Sequence, residues 1–167
     1  VSPYALSDES KTMDFYIQYD ENELLDARLS RLDSPADFKV WITDAKKAKK
    51  TQVKTITLDE FAAKEKLERL DFIKIDAEGY ESNIVEGGLT VLKKFRPNLI
   101  LECGGAYDSE EKRKRMITRL KELDYSLLGW PVMSGIVEVT WNQFMNLSFP
   151  MNPDRAVNLL FVQRPRT

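Results

Sequence analysis

The chain has 167 residues, of which 43% are hydrophobic and 31% charged, with a formal net charge of −2. This is the composition of a globule of one domain, and it excludes a disordered chain, a strong positive field for nucleic acid or anionic membrane, and an apolar span of the ~20 residues a bilayer needs. With no histidine and one cysteine, Cys103, a Ser-His-Asp triad, a histidine base, a His or Cys zinc site and an internal disulfide are excluded as well, and a reducing, cytoplasmic setting is expected. The remaining chemistry belongs to carboxylates, Lys, Tyr, Ser/Thr or a cofactor.

In chain order, Val1-Ser2-Pro3-Tyr4-Ala5-Leu6 lacks the basic start and apolar stretch of a secretory leader and reads like the interior of a longer chain. Residues 13–18 carry aromatic and β-branched side chains and predict a strand; the charged stretch 19–37 predicts a loop; 38–43 alternates as a half-buried strand does. The lysine run from Lys46 to Lys50 reads as a solvated loop, with a phosphate-bearing substrate contact as the sharper alternative. A short β stretch at 52–56 leads into Thr57-Leu58-Asp59-Glu60, a capping box that opens a helix with Leu58, Phe61, Ala62, Leu67 and Leu70 on its apolar face.

Residues 71–75 predict a compact buried strand, and Tyr80 to Phe95 a helix interrupted at Gly87-Gly88 and stopped by Pro97. Asn98–Cys103 is a second apolar strand, Ser109 opens a helix with Met116, Ile117, Leu120 and Leu123 inward, and Tyr125–Leu128 and Val157–Gln163 are late strands. Strands alternating with amphipathic helices predict an α/β fold with a parallel sheet covered on both faces, and ligands at the carboxyl ends of its strands. Residues 129–156 have no clear helical period and hold Trp130, Trp141, Phe144 and Phe149. They predict an irregular aromatic insertion within the single domain 1–167, either a lid with Trp130 and Trp141 facing substrate or a satellite cluster on the sheet.

The densest chemical signal is Lys74-Ile75-Asp76-Ala77-Glu78-Gly79-Tyr80-Glu81. Asp76 ends one buried strand, Glu102 ends the next, and Gly79 permits a tight strand-to-helix turn. If the strands are neighbours, Asp76 and Glu102 share a rim with Glu78 beside them, where carboxylates could hold a hard divalent cation or one could act as a base on a hydroxyl. Glu81 reads as an acid suited to a helix N-terminus, Cys103 as core, and Lys112 to Arg115, preceded by Glu110-Glu111, as a solvated and ion-paired helix face.

Thr55-Ile56-Thr57-Leu58-Asp59-Glu60-Phe61, then Asp71 to Glu81, Gly87, Arg96-Pro97 and Leu101-Glu102 together resemble the FkbM family of S-adenosylmethionine-dependent methyltransferases. Ala5-Leu6-Ser7-Asp8 looks like that family's segment after its third strand, and 158–162 like its closing strand. The resemblance implies a Rossmann-like class I sheet in the order 3-2-1-4-5-7-6, mostly parallel with the last strand antiparallel. Strand 71–75 is then the fourth and 98–102 the fifth. It implies S-adenosylmethionine as cofactor and methyl transfer to a hydroxyl of a sugar, polyketide or similar small molecule. Tyr4, Ala5 and Leu6 would lie near the adenine and Asp76 beside donor and acceptor; apart from the resemblance, Glu78, Trp130 and Trp141 are the candidate substrate contacts. Catechol-type relatives suggest a divalent metal at Asp76 and Glu102 by analogy only.

The glycine-rich turn after the family's first strand and the acid ending its second are absent, and no Gly-x-Gly occurs. The chain therefore looks like the carboxyl-side portion of such an enzyme, with its first strands missing. The expectations that follow are an open edge at 71–75 that could self-associate and weak binding of the methyl donor. A non-catalytic α/β binding module and a carboxylate-metal hydrolase built on Asp76, Glu78 and Glu102 are the alternatives; neither nucleic acid nor membrane is an expected partner.

Overall fold

A computed structural model describes residues 2–19, 25–32, 48–105, 109–152 and 154–163. Its elements are β1 (Tyr4–Ser7), β2 (Thr12–Tyr19), β3 (Leu25–Leu32), β4 (Ala48–Thr57), α1 (Leu58–Lys64), β5 (Phe72–Ile75), α2 (Glu81–Glu86), α3 (Leu89–Phe95), β6 (Asn98–Gly104), α4 (Glu110–Glu122), β7 (Tyr125–Val132), β8 (Gly135–Glu138), α5 (Trp141–Met145) and β9 (Ala156–Gln163). They form two mixed sheets, β1-β4-β2-β3 and β5-β6-β9-β7-β8.

The local reasons are those read from the sequence. Thr57 caps α1: its Oγ1 accepts from the Glu60 N–H at 3.1 Å, and Glu60 reaches back to the Thr57 N–H. Ser109 caps α4 by accepting from the Lys112 N–H at 3.2 Å. Between α2 and α3 the paired glycines let the helix turn pass under β1, since a Cβ on Gly87 would lie 2.1 Å from the Ser7 carbonyl oxygen. Asp59 ties α1 to this break, accepting from the Thr90 and Val91 N–H groups at 3.1 and 2.8 Å.

In the five-stranded sheet, β5 and β6 are parallel, whereas β9 runs antiparallel to both β6 and β7. Leu99, Leu101 and Cys103 of β6 and Val157, Leu159 and Phe161 of β9 point to one face, covered by Ile84 and Val85 of α2, Met116, Ile117 and Leu120 of α4 and Phe144 of α5. The alternate residues, Phe72, Ile100, Leu160 and Leu128, belong to neither core cluster, and Phe72 is 51% exposed. A smaller cluster of Leu58, Ala62 and Val91 joins α1 to α3; Leu6 and Ile73 pack against both clusters.

Several expectations are corrected. Among the described residues the second sheet is covered on one face, not two, and only the β5–β6 pair in it is parallel. Residues 25–32 form β3 rather than a loop, and residues 48–50 of the lysine run begin β4, where pairing with β2 gives them ladder bonds. The predicted strand 38–43 lies outside the described residues. Residues 129–156 are not irregular: they complete β7, form a hairpin with β8 and fold into α5. Phe144 and Met151 of that segment are buried in the main core, while Met133 and Phe149 are exposed.

Candidate functional site

The parallel register pairs Ile75 with Leu101, so Asp76 and Glu102, one residue further along, leave β5 and β6 on the same face at one rim. The structure brings Glu78 to them. Among the described residues, Asp76, Glu78 and Glu102 form one group whose facing carboxylate oxygens all lie within 4.8 Å of one another. The turn that carries Glu78 is unusual, with Glu78 at φ 49° and Gly79 at φ 89°, the left-handed region that glycine enters freely and glutamate rarely.

The three carboxylates are not equivalent. Asp76 is ion-paired to the Lys74 ammonium, and its side chain is 38% exposed. Glu102 lies deeper, and burial, then the Asp76, Glu78 and Glu81 charges, push its carboxyl up to about 7 against the pull of Lys74. A carboxyl poised there can take or give a proton near neutral pH. Glu81 is buried at 7% exposure; burial pushes its carboxyl up, opposed by backbone N–H donors including Ala77 and Gly79. Asp76, Glu78 and Glu102 are also the residues that could face a hard cation, although the Lys74 ammonium already stands against one of them.

Beside the carboxylates opens a cavity of about 180 Å³, lined among others by Glu78, Glu81, Glu102, Lys112, Arg113 and Asp154. Tyr4, Ala5 and Leu6 do not line it: Tyr4 accepts from the Lys64 ammonium at 2.8 Å, and Leu6 packs into the core. Trp130 and Trp141 do not line it either. Trp141 packs 5.8 Å from Phe161 beneath Lys121, and Trp130 lies under Arg155.

The basic run on α4 is solvated only in part, as Lys114 and Arg115 are exposed while Lys112 and Arg113 turn inward. Lys112 Nζ donates to the Gly79 carbonyl at 3.1 Å, Arg113 is 9% exposed with its Nε donating to the Met145 carbonyl at 3.0 Å, and Arg115 donates to Ser82 Oγ at 2.9 Å. The signal for Arg113 was present: it stands three, four and seven residues before Met116, Ile117 and Leu120, on the inward stripe. Sequence reasoning also missed Asp154 and Asn158. Asn158 lies directly across the β6–β9 ladder from Glu102, and its Oδ1 is buried with no hydrogen-bond partner among the described residues.

Compared with known families, residues 1–127 match the sequence profile described as the Methyltransferase FkbM domain. No curated protein and no solved structure matches the chain.

Proposed function

The chain belongs to the FkbM methyltransferase family, and on that premise we propose that it transfers a methyl group from S-adenosylmethionine to a hydroxyl of a small-molecule acceptor, a sugar, polyketide or similar compound. The observation that carries this reading is the single carboxylate rim at the ends of β5 and β6, in which Glu102 is poised near neutrality while Asp76 is held in an ion pair. The strand order β5-β6-β9-β7 supports it too, since it corresponds to the 4-5-7-6 half of the class I order.

The rim suits the donor chemically. S-adenosylmethionine supplies an electrophilic methyl on a positively charged sulfur, and a wall bearing Glu78, Glu81 and Glu102 attracts that charge. Glu78 and Glu102 would face the sulfonium, and the β1 segment Tyr4–Leu6 would serve the adenine, as the family resemblance implies. The cavity then receives the reacting hydroxyl. Bound S-adenosylmethionine would supply the methyl group that the hydroxyl oxygen accepts. The hydroxyl proton passes to the Glu102 carboxylate, while Asp76, fixed by Lys74, orients the hydroxyl.

The test is transfer of isotope-labelled methyl from S-adenosylmethionine to a panel of hydroxylated acceptors by the full-length protein. Glu102→Gln and Asp76→Asn should each lower turnover by about 10²-fold or more, the usual contribution of a positioned acid or base, while Asp76→Asn melts close to wild type and Glu102→Gln melts no lower than it. In the wild type, turnover should rise with pH through a midpoint near 7, as Glu102 loses its proton. Full activity in both variants would remove the rim from the mechanism.

A further inference from the structure

We propose that Glu81 and Lys112 are positioning residues that clamp the turn between β5 and α2 and so hold Asp76 and Glu78 against Glu102. The clamp grips one turn from two helices. Glu81, in the first turn of α2, reaches back with Oε1 to accept the Ala77 N–H at 2.8 Å and the Gly79 N–H at 3.3 Å. Lys112, in the first turn of α4, donates to the Gly79 carbonyl at 3.1 Å. Both backbone polar groups of Gly79 are thus held by side chains, which is a different role from an acid merely favoured at a helix N-terminus.

The turn needs such support. It follows the last ladder residue of β5, it carries Glu78 at φ 49°, and its own backbone closure is the Tyr80 N–H to Ala77 carbonyl bond at 3.2 Å. A non-glycine residue in the left-handed region persists only where its surroundings over-determine it. The two helices that supply the clamp are themselves cross-linked: Arg115 donates to Ser82, and the Arg119 guanidinium holds both oxygens of Glu86 at 2.9 to 3.2 Å. A buried carboxylate that accepts two backbone amides at once also explains why an acid stands at position 81, where a shorter side chain could not span the turn.

The clamp is a geometric claim; its bearing on catalysis rests on the methyl-transfer reading above. Amide hydrogen exchange followed by NMR on the full chain, without donor or acceptor, separates the two. In Glu81→Ala the Ala77 and Gly79 amides should exchange about tenfold faster or more, the effect of losing a charge-assisted acceptor, with β6 and α4 amides unchanged. Glu81→Gln keeps an acceptor oxygen and should restore protection to within about threefold of wild type. Lys112→Met should speed exchange at Gly79 severalfold while leaving Ala77 closer to wild type. Unchanged exchange in Glu81→Ala, or equal loss in Gln and Ala, would overturn the role of Glu81. Should the alanine variant lose protection throughout, the Gln and Met variants decide by the same criteria. In the methyl-transfer assay Glu81→Ala should lower kcat at least tenfold with the donor KM within about threefold. Absence of transfer by the wild type would count against the methyltransferase reading and leave the exchange result standing.

Discussion

A carboxyl with a raised proton affinity leaves a mark on stability as well as on chemistry. Glu102 binds its proton more tightly in the folded chain, up to about 7 against an ordinary 4.5. The folded state therefore holds the extra proton between those values, so stability is full below about 4.5 and is lost as pH rises toward 7. Glu102→Gln removes that loss. The variant should be more stable than wild type at pH 8 by about 1 kcal/mol once the shift is discounted for the partial exposure of the group, or about 3 °C in melting temperature for a chain this size. The two proteins should converge below pH 4.5, and thermal scans across pH 4 to 8 check this; equal melting curves at every pH would sink the assignment. Asp76 and Glu102 were legible in the sequence because each directly follows a run of apolar strand residues. Lys112 and Arg113 were not, because a run of like charges has the composition of a surface, and only the helical period reveals which of its members turn inward.

Elements in this chain are set by their ends. The capping box at Thr57 and the serine at Ser109 were readable at the residue, and both helices begin where these residues place them. The break at Gly87-Gly88 was readable as a break but not as a contact, since the distant strand β1 supplies the reason for it. That contact is testable. Gly87→Ala sets a Cβ 2.1 Å from backbone, which cannot yield locally, and should cost about 3 kcal/mol. Gly88→Ala meets the movable end of Leu58 at 2.7 Å and should cost about 1 kcal/mol. Asp59→Ala, which frees two N–H groups at the start of α3, should also cost about 1 kcal/mol. Urea titration of the three variants ranks them, and an equal cost for both glycines would contradict the close approach of α2 to β1. By contrast, β3 and the start of β4 escaped notice. Leu25, Ala27 and Leu29 alternate with charged and polar residues in a segment whose composition suggests a loop, and the lysines of β4 gain their order from pairing with β2.

At the scale of the whole chain, hydrophobic patterning specified which residues are buried but not which strands are neighbours. β9 comes last in the chain yet sits between β6 and β7, an arrangement no local period encodes. The same is true of the link between the two clusters, which depends on Leu6 and Ile73 reaching both the main core and the α1–α3 cluster. If these two side chains are the mechanical bond between the halves, the wild type should unfold as one unit, with amide exchange at Ala62 in α1 and at Leu120 in α4 responding to denaturant with the same midpoint. Leu6→Ala removes a contact shared by both clusters and should cost about 2 kcal/mol. The loss should fall unevenly: the smaller cluster has three buried members against seventeen in the main core, so Ala62 should open at lower denaturant than Leu120. Separate midpoints already in the wild type would show that the clusters are independent and that the rim carboxylates, which sit on the main one, do not depend on the β1 segment for their placement.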